Sequence, residues 1–427
     1  MSPVNTIPGS AEAAGAQPAG RRALSGAPLT ALGLLAAFAP VAMDLYLPAF
    51  PQLVVDLHTS GGPVQLTMTA FLAGGCIGQF LFGPLSDRFG RRTPLLIGCV
   101  IAVVASIAAA MATSIGLLIA ARLVQGLMGA AGMVIGRAVI ADRARGAEAA
   151  RGFTLVMLVN GVVPVIAPLL GSLLLAVGSW RVPMWFIVVV SLTALVLTIA
   201  LVPESMPPRR RAGIRAARAA SPEAGPRLGS RRFVAHAVCF VFSFSTLMAY
   251  ISGSSFLYQS VMGFSSLQYG LLFGANALVL TAASTYSARA VREYGPGRLL
   301  SIGLALTIIG AAGMLAIVLS GIPTRWILIP LAIAVGSCGF NLGNSTSLAM
   351  SAVPGASGRA SALLGGFQFA MAAVVSSVLG ALEGRGALPV AGIMVVTGAI
   401  AALARVAGAT APFDGTARAW PPHPANR

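Results

Sequence analysis

The chain has 427 residues, of which 57% are apolar and only 9% charged, with a formal net charge of +17. Soluble domains carry about 25% charged residues, so this composition excludes a water-facing surface of ordinary kind. Disorder over most of the length is excluded too, because apolar residues run throughout. What remains is a polytopic membrane protein.

A membrane-spanning helix needs about 20 mostly apolar residues. Between charges, long apolar runs occur at 23–43, 57–86, 93–121, 152–180, 182–203, 233–288, 299–324, 326–358, 360–382 and 386–404. The run 233–288 is long enough for two spans, split near Met262–Ser266, and a further span at about 115–139 is interrupted by Arg122 and Arg137. Twelve transmembrane helices are therefore expected, in an all-α fold of two six-helix bundles. The expected organisation is a disordered cytoplasmic tail at 1–27, bundles at 28–202 and 233–409, a basic cytoplasmic linker at 203–232, and a second cytoplasmic tail at 410–427. Arg21 and Arg22 precede the first apolar stretch, but no Ala-x-Ala site follows, so the stretch reads as an uncleaved helix. The linker is rich in Pro, Gly and Arg, which favours flexibility and attraction to anionic membrane lipid.

All 28 basic residues are arginine. With both termini inside, 23 of them fall in cytoplasmic segments and three (Arg181, Arg325 and Arg385) in outer loops. This bias sets the expected topology and accounts for the net charge without nucleic acid. Cys76, Cys99, Cys239 and Cys338 lie in apolar runs without zinc or disulfide spacing. No metal or cofactor is expected.

Charges inside hydrocarbon are costly and point to function. Asp44 is the one acidic residue expected within a helix, and Arg122 lies about 12 Å into the fourth at 1.5 Å per residue. Both fall in the outer half, where they would face each other or a wet cavity. Asp44 is the candidate proton carrier, its protonation set by the opposition between desolvation and the arginine charge. The alternative is a permanent structural ion pair. Arg137, nearer the inner end, reads as snorkelling to headgroups. Glu383 and Asp142 lie at helix ends, and His236 starts the seventh helix. That helix combines Phe240, Phe242, Phe244, Tyr250, Phe256 and Tyr258 with Ser243, Ser245, Ser252, Ser254 and Ser255. It suits either an amphiphilic substrate cavity or a lipid-facing stripe. Tyr46 and Gln125 are further candidates for the cavity. Asn160, Asn276 and Gln368 are either cavity contacts or hydrogen bonds between helices. Gly74-x-x-x-Gly78, Gly132-x-x-x-Gly136 and Gly339-x-x-x-Gly343 favour close helix packing. Pro40, Pro164 and Pro168 interrupt helices one and five.

Residues 83–92 read Gly-Pro-Leu-Ser-Asp-Arg-Phe-Gly-Arg-Arg. This closely resembles the loop 2–3 signature of the major facilitator superfamily, Gly-x-Leu-Ala-Asp-Arg-x-Gly-Arg-Arg/Lys. The resemblance implies a conformational latch built from Gly83, Asp87, Arg88, Gly90, Arg91 and Arg92, in which Asp87 accepts hydrogen bonds from the start of the eleventh helix near Ser357–Arg359. Arg122-Leu123-Val124-Gln125-Gly126 looks like the family's Arg-x-x-Gln-Gly motif, whose arginine is implicated in proton transfer. Asp44-Leu45-Tyr46-Leu47-Pro48-Ala49-Phe50-Pro51 and Tyr250-Ile251-Ser252-Gly253-Ser254-Ser255-Phe256 look like signatures of the bicyclomycin-resistance/CflA subgroup. That subgroup usually has proline where Ser255 stands. The antiporter motif of helix five, Gly-x-x-x-Gly-Pro-x-x-Gly-Gly, falls on residues 163–172. There Pro168 and Gly171 match, but Val163, Ala167 and Ser172 replace glycine.

The resemblance implies a monomeric, proton-coupled exporter of drugs or amphiphilic small molecules in a bacterial inner membrane. The alternative on the same fold is uptake of a native metabolite, which the departures in helix five keep open. An enzyme is not expected. Gly336-Ser337-Cys338-Gly339 loosely suggests a nucleophile turn, but no intramembrane histidine or lysine is placed to activate it.

Overall fold

The computed structural model describes residues 26–144, 146–207, 229–353 and 357–409. The expected tails, most of the linker and the start of the loop before the eleventh helix lie outside the described residues. Among those described, eleven helices are long and apolar enough to cross a membrane. One of them, Ser266–Ser320, has 55 residues, about 80 Å of helix, more than twice the hydrocarbon thickness. It is not helical at Gly295 (φ 72°, ψ 155°), just before Pro296, and counts as two spans. The total is twelve.

In chain order the spans are α1 (Ala27–Asp44), α2 (Gly61–Phe89), α3 (Arg92–Ala110), α4 (Ile115–Arg143), α5 (Gly146–Val177), α6 (Arg181–Leu201) and α7 (Arg231–Ser255). The limbs of Ser266–Ser320 are α8 and α9, followed by α10 (Leu328–Ser351), α11 (Ser357–Ala381) and α12 (Leu388–Ala409). The split of the run 233–288 falls where expected: α7 passes into a π-helical turn, Phe256–Val261, and the next helix opens at Ser266 behind a capping box of Ser265 and Gln268.

These helices are apolar on every face. Val104, Val189, Ile309 and Leu403 expose 59–70% of their surface, which suits hydrocarbon rather than water. Within the first half, α1 packs on α4, α5 and α6, and α2 on α4. Within the second, α7 packs on α10, α11 and α12. The halves meet along two pairs, α2 with α11 and α5 with α8.

The first span departs from expectation. Pro48 has no N–H to bond the carbonyl of Asp44, so α1 ends there. A 3-10 turn, Leu47–Ala49, and a short helix, Phe50–Asp56, then carry the span onward. With Pro48 read as the outer end of the span, Asp44 would lie four residues, or about 6 Å, from it; instead it sits at a break twelve residues from the end, about 18 Å of helix rise.

Candidate functional site

Asp44 and Arg122 are both wholly buried. Arg122 lies two turns into α4, whose start is capped by the Ser114 side chain accepting from the Leu117 N–H at 3.3 Å. Its guanidinium carbon is 4.1 Å from the centre of the Tyr46 ring and 4.5 Å from that of Phe71. Nη1 donates to Gln125 Oε1 at 2.8 Å, and Gln125 Nε2 donates to Ser106 Oγ at 2.8 Å. Ser106 in turn donates to the Ala102 carbonyl at 2.7 Å. The cation is therefore held by two aromatic faces and a hydrogen-bonded chain running from α4 to α3.

Asp44 is held differently. Neither carboxylate oxygen has a hydrogen-bond partner among the described residues, and the same is true of Nε and Nη2 of Arg122. The direct ion pair weighed as the alternative reading is not formed in this conformation. The reason is geometric: Asp44 lies two residues before Tyr46 at the break before Pro48, and the Tyr46 ring takes the face of the guanidinium. Tyr46 is fixed by its hydroxyl against Thr67 Oγ1 at 2.9 Å, and its ring meets Phe50 at 5.1 Å. Phe50 continues across to Phe256 at 5.8 Å.

Close approach of backbones makes this site. A Cβ on Gly171 would collide with the carbonyl of Leu45, next to Asp44, and a Cβ on Gly126 with that of Phe71. Gly171 is one of the two matching residues of the helix-five motif. Of the non-matching ones, Ser172 is buried and donates to the Pro168 carbonyl at 2.8 Å. It faces Gly270 of α8, where a Cβ would strike Ser172 Oγ. The close packing that the motif's glycine would provide on α5 is provided by a glycine on the opposing helix.

The other expected cavity residues are packed in this conformation. Tyr250 stacks on Phe273 at 5.2 Å. Asn276 donates to the Tyr258 hydroxyl at 2.9 Å and to the Leu272 carbonyl at 3.2 Å. With Tyr269 they form a buried aromatic cluster between α7 and α8. Gln368 on α11 is half-buried, and the side chain of Asn160 lies outside the described residues. Phe256 helps to wall a cavity of about 440 Å³ between the halves, together with Gly61, Gln65, Gly253 and Glu383. Arg137 is exposed and donates to the Met133 carbonyl at 2.9 Å. His236 is buried, with Nδ1 2.8 Å from the Arg232 carbonyl.

The loop at 83–92 turns at Gly90, whose φ of 94° suits glycine. Arg91 pairs with Asp87 at 2.8 Å and with Asp142 of α4 at 3.1 Å, and donates to Ser86 Oγ at 2.6 Å. Glu204, just past α6, accepts the backbone N–H groups of Arg91 (2.9 Å) and Arg92 (3.1 Å), which open α3. Burial pushes the Glu204 carboxyl up, but backbone N–H groups, including that of Met206, outweigh it and hold it below its ordinary range. Sequence reasoning missed Glu204 and the Asp142 contact; the Pro-Glu-Ser run after the sixth span was the available signal. Arg88 stacks on Phe89 at 5.4 Å. Gly83 has open space beside it rather than a close neighbour. The start of α11, where Asp87 was expected to bond, adjoins residues 354–356, outside the described residues.

Twelve apolar spans around a buried carboxylate without a hydrogen-bond partner among the described residues, and a stacked arginine, define a polytopic membrane transporter. The chain belongs to the Major Facilitator Superfamily, which it matches over residues 32–377. It is 34% identical over 376 residues to YdgK of Bacillus subtilis, an uncharacterized transporter of this family, covering 87% of this chain and 93% of the relative. It is 27% identical over 367 residues to a bicyclomycin resistance protein homolog of Haemophilus influenzae, covering 84% and 90%. A D-xylose-proton symporter has the same fold, with a TM-score of 0.72 at 17% identity over 90% of this chain and 96% of that one. The protein is a transporter of small molecules, not an enzyme.

Proposed function

We propose that the protein exports drugs or other amphiphilic small molecules across a bacterial inner membrane in exchange for protons. In this reading residues 28–202 and 233–409 move against each other as two bundles, the arginine-rich ends face the cytoplasm, and the chain works as a monomer. One observation carries the proton coupling: Asp44 is buried at a helix break with no hydrogen-bond partner among the described residues, while the neighbouring Arg122 stacks on Tyr46 and Phe71 and bonds Gln125. An ionised carboxylate in that position is strongly disfavoured, so in this conformation, with the arginine-poor ends of the halves in contact, Asp44 holds a proton. Opening toward the cytoplasm hydrates it and brings its charge into play with Arg122, favouring release as substrate binds. Coupling requires substrate to bind the deprotonated, inward-open state more tightly than the protonated one. The resistance-protein relative supports the choice of drug-like cargo.

The test is proton movement in energised inverted vesicles. Compound-triggered proton release by the wild type that vanishes in Asp44→Asn is the expected result. Full uphill efflux by Asp44→Asn would exclude this coupling. The departures of helix five favour uptake as the second reading, and the direction of substrate movement under an imposed proton gradient separates the two.

A further inference from the structure

Glu383 follows α11 at the arginine-poor end and reaches into the other half. One carboxylate oxygen accepts the N–H of Gly61 at 2.5 Å and the other the N–H of Gly62 at 2.6 Å. These are the first two residues of α2, whose N-cap, Ser60, makes no side-chain cap bond. The first N–H groups of a helix have no partner within it and carry its positive end. In this protein the missing cap comes from the opposite half. A Cβ on Gly61 would strike the Glu383 carboxylate, and one on Gly62 would lie 3.0 Å from the Gly380 carbonyl. The glycine pair is what lets the two helix ends close to this distance.

Below this contact the seam of α2 and α11 is first polar, and farther along it Phe80 packs over Gly366 and Phe369 against Gly75. Gln65 Nε2 donates to Ser376 Oγ at 3.2 Å and to the Ser252 carbonyl at 3.1 Å, and Ser377 donates to Thr69 Oγ1 at 3.3 Å. The cavity of about 440 Å³ lies alongside, with Gly61, Gln65, Gly380 and Glu383 in its wall. Hydrogen bonds to small side chains can be exchanged for water, whereas apolar side chains interlocked across a seam lose contact when it opens. The bond is also exposed to water at its edge. We infer that Glu383 is a latch that holds the halves together at the arginine-poor end by capping α2 in trans, and that it releases when that end opens. The inference rests on the alternating-access reading above.

Glutamine at 383 can accept from one glycine N–H but presents a donor to the other, and it lacks the charge that favours the helix start. An independent variant, Ser60→Asp, supplies a carboxylate cap from within the first half and repels Glu383. Both are expected to raise the population open at this end about three- to fivefold. The readout is distance distributions between spin labels in full-length protein lacking its four cysteines. Val55→Cys with Ile322→Cys reports the arginine-poor end, and Ala141→Cys with Val234→Cys the arginine-rich end; all four sites are exposed. The latch is supported if both variants lengthen the first distance and shorten the second. It is overturned if the chain with Glu383 and Ser60 intact alternates with pH or compound and neither variant shifts the populations. Fixed distances at both ends under every condition would instead overturn the alternating-access reading, and the latch with it.

Discussion

Asp44→Asn separates two accounts of the buried charges by the sign of its effect on stability. If Asp44 and Arg122 were a structural ion pair, removing one partner would leave the other unpaired and cost about 3–5 kcal/mol. The geometry gives a different figure. The arginine rests on Tyr46 at 4.1 Å, Phe71 at 4.5 Å and Gln125 at 2.8 Å, none of which the substitution touches. Asp44 contributes no hydrogen bond from either oxygen. With Asp44 holding the proton proposed above, exchanging it for an amide of the same shape changes stability by roughly 1 kcal/mol or less, because one neutral polar group replaces another. The assay is thermal unfolding of purified protein in detergent, followed by tryptophan fluorescence, alongside uphill efflux in vesicles. The expected result is a melting temperature within about 2–4 °C of wild type together with complete loss of uphill transport. A fall corresponding to 3 kcal/mol or more would refute the reasoning and return Asp44 to a structural role.

Arg122→Lys keeps the charge but loses the planar group that spans two rings and Gln125. Its expected cost is about 2 kcal/mol and more than a tenfold loss of uphill efflux, measured as initial rates; a fully active lysine variant would count against the stacked geometry. Gly171→Ala drives a methyl into the Leu45 carbonyl and is expected to destabilise by about 1–3 kcal/mol. Ser172→Gly, which restores the family's residue, is expected to stay within about 1 kcal/mol of wild type because Ser172 already fits against Gly270. Both are read by thermal unfolding, and a reversed order would show the packing argument to be wrong. Glu204→Gln is expected to lower the melting temperature at pH 7. Glu204 sits below its ordinary range in the folded chain, so its contribution is complete above about pH 4.5 and fades as pH falls further. The gap between wild type and variant should therefore close in acid, and a gap that widened there would contradict the assigned capping.

Most of the spans were legible because each is a local run bounded by local charge. Met262–Ser266 was readable as a break, and Asp87–Arg92 as a turn, for the same reason. The depth of Asp44 was not. Pro48 reads as the end of a span, and only the restart at Phe50 shows that the helix resumes and leaves the carboxylate at a mid-span break. Nor could the sequence show that Arg122 prefers Tyr46 and Phe71 to Asp44, because that choice depends on how α1, α2 and α4 approach one another. The capping contacts of Glu204 and Glu383 were not legible for a related reason. Each caps a helix more than a hundred residues away, and spacing along the chain carries no trace of such a contact. For Glu383 the local hint was an α2 start of Ser60, Gly61 and Gly62 with no acidic residue in its first turn.

The unsatisfied polar atoms argue that this arrangement is one of at least two. Asp44 on α1, Arg122 on α4 and Ser252 on α7 each bury side-chain polar atoms that lack a partner. Leaving such a group unsatisfied costs about 1–3 kcal/mol, and native structures keep few of them. A fold with a single resting state would gain by pairing these groups or replacing them with apolar ones. Arg122 rests on the ring of Tyr46, two residues past Asp44, and the backbone of Ser252 accepts from Gln65 across the halves. Separating the halves at either end would admit water or a ligand to the same atoms and remove the penalty. The cost of burial then becomes part of what makes the closed state reversible, and it falls on the residues proposed to carry the proton.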